Sequence, residues 1–105
     1  MNKDKAYFIG VFKGNVEALE TALASNTGGI VYIFPGYGLG VRVEGDKASA
    51  CRMDQATVNP PRRHIVNGMG LKAILIDRGA ALRDALKRAK QALANFETMD
   101  LGDSF

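Results

Sequence analysis

The sequence predicts an α+β fold: a single-layer, mainly antiparallel sheet of about 4–6 strands with two helices packed on one face. Three observations carry this expectation. Leu82, Leu86, Ala89, Leu93 and Phe96 recur at helical spacing between Asp77 and about Phe96. Short runs rich in β-branched and aromatic residues recur elsewhere: Ala6–Phe12 (AYFIGVF), Ile30–Phe34 (IVYIF) and Leu71–Ile76 (LKAILI). Between residues 30 and 53, Pro35-Gly36-Tyr37-Gly38 and Gly45-Asp46 supply the turn chemistry of a meander.

Taken in chain order, Ala6–Phe12 reads as a strand, and its unbroken apolar character suits one covered on both faces. Gly14 and Asn15 then punctuate the chain. Asn15 is a good N-cap for a helix bearing Val16, Leu19, Ala22 and Leu23 on its inner face, with Glu17 and Glu20 where the dipole favours acids. That helix should end near Ser25–Asn26, before Thr27-Gly28-Gly29. Ile30–Phe34 is a strand, and Leu39–Glu44 alternates as a third, with Val41 and Val43 on one face. Lys47–Met53 pairs back as a fourth strand or, alternatively, forms a short helix capped by Asp46. Asp54–Arg63 is a loop, since Asn59-Pro60-Pro61 cannot continue a helix. His64–Val66 and Leu71–Ile76 read as strands around an Asn67-Gly68 turn. The final helix follows, and Glu97–Phe105 reads as a frayed acidic tail.

A chain of 105 residues fits a single domain spanning 1–105. It buries roughly 65% of the surface its unfolded form exposes, enough for a core without staples. A helix leucine fully buried on the sheet contributes about 1.5–3 kcal/mol, so Leu86→Ala should cost roughly 2–5 kcal/mol with its cavity. The single cysteine, Cys51, excludes an internal disulfide and a multi-cysteine zinc site. The apolar run near the N-terminus is too short for a membrane span and lacks a signal-peptide cleavage pattern. These points predict a soluble, cytoplasmic protein that does not engage membranes.

Charge is unevenly distributed. Residues 1–61 hold six basic and six acidic side chains, residues 62–90 hold eight basic against two acidic, and residues 91–105 hold three acidic. Such a basic segment attracts polyanions, unless the acidic tail neutralises it. Arg83, Lys87 and Lys90 share one helical face suited to phosphates. Arg62 and Arg63 precede the Asn67-Gly68-Met69-Gly70 turn, whose amides beside two guanidinium groups suit a small anion. His64 is the only histidine, and its two arginine neighbours disfavour both an imidazolium and a bound cation. Lys47 and Arg52 near Cys51 could lower its pKa, but the favoured reading of Cys51 is a small half-buried hydrophobe. Gly36-x-Gly38-x-Gly40 fails the dinucleotide fingerprint, because its glycine spacing is wrong and a β-type sequence follows. Tyr37, at that glycine-flanked turn, is the aromatic placed to meet a partner.

No cofactor and no metal are implied. The pattern favours binding over catalysis, in a small homo-oligomeric accessory or regulatory protein. The strand-rich sequence motivates this, because two layers built from so short a chain leave a sheet face or edge for a second copy to cover. Nucleic-acid binding through Arg62, Arg63, Arg83, Lys87 and Lys90 is the alternative. A small anionic-ligand site or enzyme near His64, Arg63 and Asn67 is a third reading.

Overall fold

The computed structural model describes residues 2–99 and shows four antiparallel strands in one open sheet with two helices against it. Helix α1 spans Asn2–Ala24. Strands β1 (Ile30–Phe34), β2 (Leu39–Glu44) and β3 (Lys47–Arg52) form the meander, followed by a 3₁₀ turn at Met53–Gln55. Strand β4 (Ile74–Asp77) leads directly into helix α2 (Arg78–Thr98). The strand order is β3-β2-β1-β4, so β1 is central, as the continuous apolar sequence IVYIF requires.

The main departure from the sequence expectation lies at the start. Residues 6–12 are helical, and Gly14 and Asn15 sit inside α1 instead of opening a helix. An unbroken apolar run carries neither a clear period of 2 nor one of 3.6, so its own pattern does not choose. Tertiary contact chooses here. Phe8 and Phe12, one turn apart, both meet Phe96 of α2, with ring centroids 6.1 and 5.3 Å away. Extended backbone would send two side chains four residues apart too far along the chain to share one ring.

The meander agrees with expectation, and 47–52 is a strand. Leu39–Glu44 pairs in full register with Lys47–Arg52, from Leu39 opposite Arg52 to Glu44 opposite Lys47. The expected strand at His64–Val66 is only a single bridge between Val66 and Lys72, and Leu71–Ile76 yields a strand only from Ile74. The Asn67–Gly70 turn does close between them. α2 begins as predicted: the Asp77 side chain accepts from the Ala80 amide at 2.9 Å. It continues past Glu97 to Thr98, and Lys5 Nζ donates to the carbonyls of Glu97 and Met99. The rest of the expected acidic tail lies outside the described residues.

The sheet buries both faces. On one side Val31 joins Val16, Leu19, Met53, Leu82 and Ala85 in the core beneath the helices. Leu82, fully buried, takes the position expected for Leu86, which is only half-buried at its margin. On the other side Tyr32, Phe34 and Val41 pack against Ile65 and Ala73 from the segment 60–73, which straps across the sheet. The strap is buckled by Tyr32: its hydroxyl accepts from the Arg63 amide at 2.6 Å and donates to the Arg63 carbonyl at 2.7 Å. This strap covers the sheet face that the sequence had suggested a second copy would cover; β3 remains an exposed edge.

β1 and β2 pair at only two positions and then diverge. The 57–59 segment fills the gap. Thr57 donates its amide to the Val41 carbonyl and accepts from the Val43 amide, while the Asn59 amide donates to Ile30. The fit is tight at Gly29, whose φ is +103° and where a Cβ would come within 2.7 Å of Val58 Cγ1 and 2.9 Å of Asn59 Oδ1.

The helices are antiparallel neighbours and outrun the sheet. In α1 the first buried core residue is Val16, and in α2 the last is Ala89. Beyond those points α1 packs on α2 through Phe8 and Phe12 against Phe96. The radius of gyration is 15.6 Å, against about 13 Å for a compact chain of this length.

Candidate functional site

The residues singled out from sequence divide between the two sides of the sheet. Arg62 and His64 are exposed on the strap. Arg63 beside them is half-buried: its backbone is held by Tyr32, and its Nη2 donates to the Gly45 carbonyl at 2.9 Å in the β2–β3 turn. Arg83, Lys87 and Lys90 are exposed on α2, on the helix side. The sheet stands between the two groups, so the basic segment of the sequence does not fold into one continuous surface.

Asn67 has a structural task. Its Oδ1 accepts from the amides of Met69 and Leu71, both at 2.9 Å, and its carbonyl accepts from Gly70. Three amides of the turn are thereby spent on closing it. At the start of α2 the Ala80 amide is likewise taken, by Asp77.

Cys51 and His64 are not a pair. Cys51 packs against the helix-side core, while His64 lies on the strap over the opposite face. Burial pushes the Cys51 thiol pKa up, Asp54 adds to that, and Arg42 opposes it. Cys51 is half-buried against the core, the reading that the sequence favoured, and the charge that lowers its pKa is that of Arg42. Among the described residues no group of three or more His, Cys, Asp or Glu side chains is arranged to hold a metal. No described helix is long and apolar enough to cross a membrane.

Two other features stand out. The first is the projecting end of the helix pair. Tyr7, Phe8 and Val11 are 67%, 43% and 51% exposed, and Met99 at the end of α2 is 46% exposed. Tyr7 packs edge-on against Phe8, and Phe8 against Phe96, so the patch is continuous. At 100° per residue, Tyr7, Gly10, Val11 and Gly14 share the outward face of α1. Added Cβ atoms at Gly10 and Gly14 would meet nothing within 4 Å, so the two glycines form an open notch beside Tyr7.

The second is a cleft of about 330 Å³ where α1, α2 and the β1–β2 turn converge. Leu19, Met53, Ala85 and Ala89 form its apolar floor, and Tyr37, 54% exposed, stands on the turn at its edge. Arg88 borders it, with Cδ placed 3.8 Å from where a Cβ on Gly38 would lie. Asp84 meets Arg88 Nε at 2.8 Å, as their i,i+4 spacing predicts. Arg52, also lining the cleft, is held by Asp54 through Nε and Nη2 at 3.0 and 3.2 Å. Asn15 reaches the cleft from α1, and its side-chain oxygen is buried without a hydrogen-bond partner among the described residues.

Of the site residues read from sequence, Tyr37 borders this cleft. Asn15 reads from sequence as a helix cap, and its convergence with Arg88 requires α1 and α2 to be neighbours. The exposure of Tyr7 and Val11 had no sequence signal, since the same run satisfies a buried strand.

The chain matches no protein-family model, no curated protein and no solved structure.

Proposed function

We propose that this protein is a non-enzymatic, cytoplasmic binding or regulatory protein, folded as a single domain, that works as a homo-oligomer joined through the outward face of α1. The observation that supports the reading is the apolar end of the helix pair. A helical segment that is hydrophobic all round belongs in an interior, and Tyr7, Phe8 and Val11 lie where the described residues add no further layer. With Met99 they leave on the order of 400 Å² of apolar side chain in water, in the range where such patches are functional.

The same face favours a second copy as the occupant. Gly10 and Gly14 weaken α1 by about 1 kcal/mol each relative to alanine, and they offer a notch into which a large side chain fits. Tyr7 supplies such a side chain on the same face, so knob and notch are self-complementary, as a two-fold interface requires. Lys3 and Glu17 bracket the stripe with opposite charges. A two-fold antiparallel pairing centred on Gly10 sets Lys3 of each copy opposite Glu17 of the other. The result is four helices side by side, with the sheets outermost.

Sedimentation equilibrium tests this directly. The wild-type chain should dimerise at about 10–100 µM. Val11→Glu should be monomeric there with an unchanged circular-dichroism spectrum, because Val11 is exposed in the protomer. A wild-type chain that stays monomeric up to about 100 µM would overturn the reading.

A further inference from the structure

We propose that the free edge of β3 takes up an acidic peptide segment in extended form, as a fifth strand of the sheet. The surface uses none of Tyr7, Gly10, Val11 or Gly14, so it is independent of self-association through α1.

The backbone of β3 is open along its outer side. Gly45, at φ +60°, and Asp46 make a two-residue turn, so Glu44 and Lys47 are a directly bonded pair. Bonded pairs then alternate, through Arg42 with Ser49 and Gly40 with Cys51. The far side of β2 agrees. The Val41 carbonyl accepts from the Thr57 amide, and the Val43 amide and carbonyl both bond the Thr57 hydroxyl, so these groups face away from β3. Ala48 and Ala50, opposite Val43 and Val41, therefore aim their amides and carbonyls outward, and among the described residues nothing bonds to them. β3 keeps register over all six residues without bulge or proline, and its charged side chains, Lys47 and Arg52, stand only at its ends. An edge left unblunted in this way is a template for another strand.

The strap selects the occupant. Val41 lies in the strap-side core, so Ala48 and Ala50 share that face. Beside them Phe34, Val41, Ile65 and Val66 border a hollow of about 70 Å³, which suits a small aliphatic side chain on the residue opposite Ala50. Residues 60–73 contain Arg62, Arg63 and Lys72 and no acidic residue. The bond from Arg63 Nη2 to the Gly45 carbonyl sets that guanidinium at the Lys47 end of the edge. Asp46 is the acid of that end, outnumbered by Lys47 and Arg63, with Arg62 next in the chain. An antiparallel partner with an aliphatic residue opposite Ala50 and carboxylates opposite Ala48 and Lys47 complements both the hollow and the charge. A second copy fits worse, because two-fold pairing of β3 with itself sets two straps, each with three cations, on one face of the joined sheet.

The probe is acetyl-Ser-Thr-Val-Thr-Glu-Glu-amide, titrated while the protein amides are followed by NMR. The Ala48 and Ala50 amides should shift and exchange more slowly with solvent, with a Kd of about 1 mM that weakens as salt is added. Methylating the valine nitrogen removes its bond to the Ala50 carbonyl, and lysines in place of both glutamates reverse the charge; each change should weaken binding roughly 10-fold. Ala50→Pro deletes an outward amide, which an edge strand tolerates, and should lose the peptide while keeping the circular-dichroism spectrum. The proposal is overturned if the probe leaves Ala48 and Ala50 unmoved at about 10 mM. It is equally overturned if the methylated or lysine peptide, or Ala50→Pro, binds as the parent pair does. Slow exchange at Ala48 and Ala50 without peptide would also overturn it, because a second copy or another part of the chain would then hold the edge.

Discussion

Asn15→Ala should make the protein more stable. Asn15 is inside α1, not at its end, and its Oδ1 is buried without a partner. Leaving a buried acceptor unsatisfied costs about 1–3 kcal/mol. Asparagine in a helix interior costs a further ~0.6 kcal/mol relative to alanine. Against this, truncation removes three atoms from a half-buried side chain, with a loss of about 1 kcal/mol in packing. The balance is a gain of about 1–2 kcal/mol, and for a domain of this size each kcal/mol moves Tm by roughly 4–8 °C. Urea unfolding followed by circular dichroism measures it, with an unchanged m-value showing that the native and denatured ensembles are otherwise the same. A destabilised variant would show that the oxygen is satisfied in the native state, and the argument from an orphaned acceptor would fail.

Three further outcomes follow from the packing and the site chemistry. Leu82→Ala should cost about 3–5 kcal/mol, because Leu82 is fully buried in the helix-side core, and half-buried Leu86→Ala should cost clearly less; equal losses in denaturant melts would contradict the assigned helix face. Tyr32→Phe should cost about 1–3 kcal/mol and speed hydrogen exchange at Arg63 and Ile65, since it unbuckles the strap; exchange rates identical to wild type would show that the strap is held elsewhere. The folded thiol pKa of Cys51 lies above that of the unfolded chain, because burial and Asp54 outweigh Arg42. Its contribution to stability is therefore complete below the unfolded thiol pKa and is lost as pH rises through the folded value. Iodoacetamide should accordingly modify the native protein more slowly than the urea-unfolded chain at alkaline pH; equal rates would refute the shift.

Much of the sheet and the second helix is written locally. Asp77 caps α2 through its own side chain, the meander turns carry their own glycines and proline, and IVYIF is central because nothing in it tolerates an edge. Asn67 closes its turn with bonds inside five residues. Such features are legible because every group involved lies within a few positions of its partner. The candidate sites are different. Arg62 and Arg63 are neighbours of the basic helix in sequence, yet the sheet separates them from Arg83, Lys87 and Lys90. Asn15 and Arg88 lie far apart in the chain and border one cleft only because α1 and α2 pack side by side.

The sequence by itself determined the α+β class, the β1–β3 meander and the capped amphipathic helix, since each rests on short-range periodicity, turn chemistry and capping. Only the tertiary structure decided that residues 6–12 are helical, that the strap covers the second face of the sheet, and that an asparagine and two arginines surround one cleft. An apolar run is equally content in a strand or a helix; which it becomes depends on a ring, that of Phe96, more than eighty residues away in the chain.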